Sequence, residues 1–170
     1  YESLNGGVPV ANASQGTGHS RDPYIMKAQD GAEYKYYMVA TDANTTNNYN
    51  NTGLHTWGSN DLITWDELAN PQFATDKGGG SKTITNMCWA PEAIWDPVEG
   101  KYMVYFASNE ADSAANESAK IYYSYTADFR NFSEKKVLFD PGYGVIDADI
   151  TPYKNGYVML YKKEAKSDPG

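Results

Sequence analysis

Ser59-Asn60-Asp61-Leu62-Ile63-Thr64-Trp65 returns in altered form as Thr126-Ala127-Asp128-Phe129-Arg130-Asn131-Phe132: a hydroxyl residue, Asp two later, then Leu or Phe, then an aromatic three further on. On either side of this pair the copying extends over most of the chain. The first copy opens at Arg21-Asp22-Pro23-Tyr24-Ile25, passes Asp30-Gly31 and enters Tyr36-Tyr37-Met38-Val39-Ala40. The second opens at Trp89-Ala90-Pro91-Glu92-Ala93-Ile94, turns at Glu99-Gly100 and enters Tyr102-Met103-Val104-Tyr105-Phe106. A third begins at Ile146-Asp147-Ala148-Asp149-Ile150, turns at Asn155-Gly156 and enters Tyr157-Val158-Met159-Leu160-Tyr161. Pro23 and Pro91 lie 68 residues apart and Trp65 and Phe132 lie 67 apart, so two independent landmarks give nearly one period. Each unit holds short β runs bounded by Gly, Asn and Asp, the pattern of a four-stranded antiparallel meander. A sheet of this size buries both faces only by stacking on its neighbours around an axis. The expected fold is therefore all-β: a β-propeller of four-stranded blades, with about two and a half present. Blade one covers about 19–70, blade two about 86–137 and the start of blade three about 145–163, within a single partial domain 1–170.

Composition agrees with this reading. Aromatics are 14% of the residues, with 15 Tyr and 4 Trp, which favours strands over helices. The net charge of −8 repels a phosphate backbone, so no nucleic-acid partner is expected. No run of 18 apolar residues suggests a membrane-spanning helix, and no membrane partner is expected. Cys88 is the single cysteine, which rules out an intrachain disulfide; between Met87 and Trp89 it reads as a small buried residue. Sequons occur at Asn12, Asn44, Asn50, Asn116 and Asn131, a weak signal in an Asn-rich chain. The segment Asp42 to Gly53, rich in Asn and Thr, reads as a surface loop. Asp61 and Asp128 read as turn residues bonding nearby backbone N–H groups, with Trp65 and Phe132 packing between blades.

In a propeller the inner strand of each blade lines the central channel, so equivalent repeat positions become neighbours there. Asp22 and Asp147 are equivalent and should face each other across the channel mouth. Paired carboxylates suit glycoside hydrolysis, in which one protonates the departing oxygen while the other activates water, held roughly 6.5–9.5 Å apart in inverting enzymes. The competing reading is that Asp-Pro at a strand start is a turn former.

His19 to Ile25, Cys88 to Pro97 and Val145 to Ile150, in this order and at blade spacing, resemble glycoside hydrolase family 43 over about residues 16–163. That resemblance implies a five-bladed propeller with inverting arabinofuranosidase, xylosidase or arabinanase activity on plant cell-wall polysaccharides. It makes Asp22 the general base and Asp147 the residue that orients the general acid and raises its pKa. Members often carry Pro after this second aspartate, where Ala148 stands, which brings Asp149 into consideration; Asp147 is preferred because it follows Ile146 as in the family. The family's general acid, a Glu heading the next blade, would lie past Gly170. The chain is accordingly expected to be part of a longer enzyme, inactive by itself, or one that completes its propeller with another chain.

Trp89, Glu92, Tyr24, Arg21 and His19 are candidate substrate contacts. Trp95 is a weaker stacking candidate, better explained as inter-blade packing. Glu164 reads as a solvated charge, and His55 as a strand residue without a partner. No metal ligands stand out and no cofactor is required, although the resemblance allows a structural calcium ion. It also favours a secreted or periplasmic location. The alternative is a carbohydrate-binding or scaffold propeller without catalysis. A fructoside-cleaving propeller shares Arg-Asp-Pro but is disfavoured, because its acid sits in Glu-Cys-Pro where this chain has Ala-Pro-Glu.

Overall fold

The computed structural model describes residues 3–47, 51–74, 87–109 and 118–164; the sequons at Asn50 and Asn116 and part of the 42–53 segment lie outside them. The strands are β1 (Ser20–Lys27), β2 (Tyr36–Asp42), β3 (Leu54–Ser59), β4 (Asp66–Ala69), β5 (Cys88–Asp96), β6 (Lys101–Ser108), β7 (Lys120–Thr126), β8 (Lys136–Phe139), β9 (Val145–Tyr153) and β10 (Gly156–Lys163). They form antiparallel sheets in chain order: β1-β2-β3-β4, β5-β6-β7-β8 and the pair β9-β10. No α-helix occurs among the described residues. These are two full blades and the first half of a third.

The core lies between the blades. Tyr37, Val39 and Leu54 of the first sheet pack on Ala93, Tyr102 and Phe129 of the second. Tyr105 and Ile121 of the second pack on Val145, Ile146 and Ala148 of the third. The middle strands β2 and β6 are apolar runs buried on both faces, which explains why they lack the strict alternation of half-exposed strands. The innermost strands β1, β5 and β9 adjoin one another, as strands lining one axis must.

The repeated turn signature works as its residues suggest. Asp61 Oδ1 accepts the N–H groups of Ile63 and Thr64, and Asp128 Oδ1 those of Arg130 and Asn131. This lets Leu62 and Phe129 take positive φ. Phe129 then stacks on Tyr37 of the neighbouring blade with centroids 4.2 Å apart, tying the turn to the seam. Phe132 packs in the same seam, edge-on to Phe73. Trp65 differs: it covers Met38, Ala40 and Trp57 together with Ala11 and Ala13, so the segment before β1 folds over it on the other face of blade one. The β9–β10 hairpin also departs from expectation. Lys154 and Asn155 form its loop, with Lys154 at φ 52°, and Gly156 already pairs with Tyr153 inside the ladder.

Candidate active site

Each inner strand carries the same irregularity at the same place. The β1–β2 register shifts between Arg21 and Tyr24, the β5–β6 register between Trp89 and Glu92, and the β9–β10 register between Leu160 and Lys162, opposite Asp147 and Ala148. The first extra residue has positive φ in all three: Asp22 at 51°, Ala90 at 45° and Asp147 at 51°. A bulge at a strand end re-aims a side chain out of the pleat, and Asp is among the few residues that adopt this conformation readily. The bulge sets Asp22 and Asp147 at equivalent heights, and Asp149 at the position equivalent to Tyr24 and Glu92 instead.

Asp22 and Asp147 are close enough for their charges to interact. Partial desolvation pushes the Asp147 carboxyl above its ordinary value, Lys162 opposes this, and the negative charges of Asp22 and Glu164 add to it, with Arg21 again opposing. Arg21 Nε–H donates to Asp22 Oδ2 at 3.1 Å, orienting that carboxylate; both side chains remain about two-fifths exposed.

A second set of side chains follows two residues along each inner strand. Tyr24, Glu92 and Asp149 lie near one another. Burial raises the Glu92 carboxyl, Tyr105 opposes this by donating a hydrogen bond, and the charge and hydrogen bond of Asp149 raise it again. Burial likewise raises the Tyr24 hydroxyl, helped by the charges of Glu92 and then Asp149.

The other candidates are placed differently. His19 is exposed, and its Nδ1 lies 2.8 Å from the Thr17 carbonyl oxygen, without a contact to the Asp22 carboxylate. Trp89 is half-buried against the core between blades two and three. Trp95 meets Tyr102 edge-on at 5.0 Å in the seam between blades one and two. Cys88 is fully buried, which pushes its thiol up to about 12 and leaves it unreactive.

Three expectations are corrected. Glu164 is not a free solvated charge: its N–H bonds the Gly144 carbonyl at 2.9 Å, which returns its carboxylate to the neighbourhood of Asp147. His55 is not a partnerless strand residue. Fully buried, its ring has Asp42 Oδ1 3.2 Å from Nε2 and Glu67 Oε1 3.6 Å from Nδ1. Burial alone would raise Asp42, but His55, the Thr17 hydroxyl and N–H, and Asn70 together hold it at about 2. Glu67 in turn accepts from the Ser14 hydroxyl and the Ser14 and Gln15 N–H groups. This cluster fastens the segment preceding β1 onto blade one. Nor is the 42–53 segment wholly surface loop: Asp42, Ala43 and Asn51 are buried. Among the described residues no group of three or more His, Cys, Asp or Glu side chains converges as a metal site, so no calcium ligands are assigned.

Comparison with known proteins gives this arrangement a context. A family model described as "Probable glycosyl hydrolase domain", of the type related to glycosyl hydrolase family 43, matches residues 1–169. An alpha-L-arabinofuranosidase of Bifidobacterium longum subsp. longum is 29% identical over 187 aligned positions, covering 96% of this chain and 17% of that relative. The crystal structure of a thermostable family-43 glycoside hydrolase superposes with a TM-score of 0.60 at 26% identity, over 85% of this chain and 41% of that one. The family-43 enzyme from Xanthomonas citri in complex with xylotriose superposes at 0.58 and 18% identity, over 87% and 41%, a likeness of fold. The chain thus spans less than half the length of each of these proteins. With its stacked antiparallel blades and repeated inner-strand bulge, the chain belongs to the family of glycosyl hydrolase domains related to family 43, and its fold is part of a β-propeller.

Proposed function

We propose that this chain supplies the base side of the active site of an inverting glycosidase acting on arabinosides or xylosides of plant cell walls. The supporting observation is that Asp22 and Asp147 occupy the same bulge on two inner strands while the intervening blade presents Ala90. Two carboxyls thus share one end of the channel without a third side chain of that type between them. The Asp22 carboxylate, oriented by Arg21, takes a proton from a water molecule. The water oxygen attacks the anomeric carbon from the face opposite the departing oxygen, so the configuration inverts. The departing oxygen receives its proton from a general acid, which is assigned to no residue of this chain. Asp147, itself held up in pKa, is the modulator: its negative charge beside that acid raises the acid's pKa and keeps it protonated until the bond breaks.

The substrate preference is supported by the name of the Bifidobacterium relative, an arabinofuranosidase. Glu92, Tyr24 and Trp89 are the proposed sugar contacts on the channel side. The test is hydrolysis of aryl α-L-arabinofuranosides and β-D-xylosides by the full-length protein. Asp22→Asn is expected to lower kcat by roughly 10²–10⁴-fold, and activity equal to wild type would overturn the assignment. Tight oligosaccharide binding with no turnover in the wild type would favour a binding propeller.

A further inference from the structure

The Tyr105 hydroxyl is a polar group that the repeat does not call for. Tyr105 stands on the second strand of blade two, opposite Glu92, and the same ladder position holds Val39 in blade one, opposite Tyr24, and Leu160 in blade three, opposite Asp149. An aliphatic side chain therefore serves this position in both other blades, and Val39 is as buried as Tyr105, each 1% exposed. Burying a phenol hydroxyl costs stability unless both its donor and its acceptor capacity are used. Here both are. The hydroxyl donates to Glu92 Oε2 at 2.9 Å, and the Ile150 N–H donates to it at 3.0 Å. β9 is the terminal strand of its sheet, and Tyr105 accepts this N–H from the adjoining blade.

One oxygen atom thus joins the inner strand of blade two to the inner strand of blade three, three residues past Asp147 and one past Asp149. We propose that Tyr105 is a positioning residue of the active site: its hydroxyl sets β9, and with it Asp147, relative to Asp22, and holds Glu92 turned toward Asp149. The proposal rests on reading Asp22 and Asp147 as active-site carboxylates. Burial and the adjoining Glu92 push the phenol far above its ordinary pKa, so the hydroxyl keeps its proton at any working pH and the link persists.

A matched control exists on the same strand. Tyr102, 2% exposed, accepts the Gln29 N–H at 2.9 Å from the other end of β6 and joins blades one and two away from the carboxylates. In the full-length protein, Tyr105→Phe is expected to lower kcat by roughly 10–100-fold with KM within about twofold, because small misplacements of reacting groups are costly. Its pH–rate profile should move, because the carboxyl cluster beside Asp147 loses a donor. Tyr102→Phe should lose similar thermal stability and leave kcat and the pH profile unchanged. Wild-type kinetics in Tyr105→Phe, an equal kinetic loss in Tyr102→Phe, or failure of Tyr105→Phe alone to fold would each reduce the hydroxyl to a structural bond and overturn the proposal. Asp22→Asn, assayed alongside, separates the two ideas. Full activity in that variant sinks the catalytic reading, whereas its loss combined with a silent Tyr105→Phe sinks only the positioning role.

Discussion

The seam between blades one and two and the seam between blades two and three join equivalent strands by different means. At the head of β5, the Cys88 N–H and carbonyl are both held by the Asn51 amide, at 3.0 and 2.8 Å, and the Ala90 N–H is held by the Thr41 hydroxyl at 3.0 Å. At the equivalent place on β9, the Val145 N–H bonds the backbone carbonyl of Ala119 at 3.0 Å, and the side-chain link lies lower, from Tyr105 to Ile150. The repeat thus reproduces the strand positions and the bulge but not the bonds that hold them. A buried inner-strand N–H needs an acceptor in every blade, and whichever neighbour reaches it will serve. Substitutions at the first seam should therefore be costly at residues that have no counterpart at the second.

The largest expected effect comes from breaking the first seam at its side-chain clamp. Asn51→Leu leaves the buried Cys88 N–H and carbonyl without the amide and should cost roughly 2–4 kcal/mol in urea unfolding. A loss under about 0.5 kcal/mol would show that water or a shifted neighbour replaces the clamp.

Acid should act next, and on blade one. Asp42, at the end of β2, is held at about 2, below its ordinary 3.8. Because its folded-state pKa is depressed, its contribution is fully present above about pH 4 and is lost as pH falls through about 2, amounting to on the order of 2 kcal/mol. In blade two the corresponding ladder position holds Ser108, and the position of His55 is taken by Tyr122 with the Lys135 ammonium 4.5 Å from its ring centroid, so neither of these two positions carries a carboxylate. Fluorescence of Trp57, whose indole N–H bonds the Asn12 carbonyl of the fastened segment, should change over this pH window. Removing the carboxylate with Asp42→Asn should abolish that change, and a transition that survives the substitution would argue against Asp42 as its origin.

The smallest effect tests the bulge itself. Ala90 is the inner-strand bulge residue that is not Asp, and an alanine at φ 45° is strained by roughly 1 kcal/mol. Ala90→Gly relieves that strain, which offsets glycine's greater unfolded-state entropy, and should leave stability within about 0.5 kcal/mol of wild type. Ala93→Gly, three residues on in the regular ladder and 2% exposed, should cost about 1 kcal/mol or more. Equal melting-temperature losses for the two would mean that the positive φ carries no strain.

Much of this was legible in the chain itself. Turn, strand and bulge each depend on residues adjacent in sequence, which is why the repeat announced the blades and the equivalence of Asp22 and Asp147. What was not legible has a common cause. Tyr105 meets Ile150 across 45 residues, Asn51 meets Cys88 across 37 and Thr17 meets Asp42 across 25, and none of these contacts rests on a side chain that the repeat carries from blade to blade. His55 illustrates the point: alone in its strand, it has carboxylates on both sides only because β2 and β4 flank β3.

By itself, then, the sequence determined the blade and its period, because hydrophobic patterning and turn chemistry act over a few residues and recur with each copy. It also placed an aspartate at the head of blades one and three, a residue tolerant of the left-handed conformation found there. Tertiary structure alone decided how each blade grips the next, which carboxyls lie within reach of one another's charge, and which hydroxyl links them. Those outcomes depend on stacking separate sheets around an axis, and a buried polar group is satisfied by whatever that stacking brings within 3 Å or so of it.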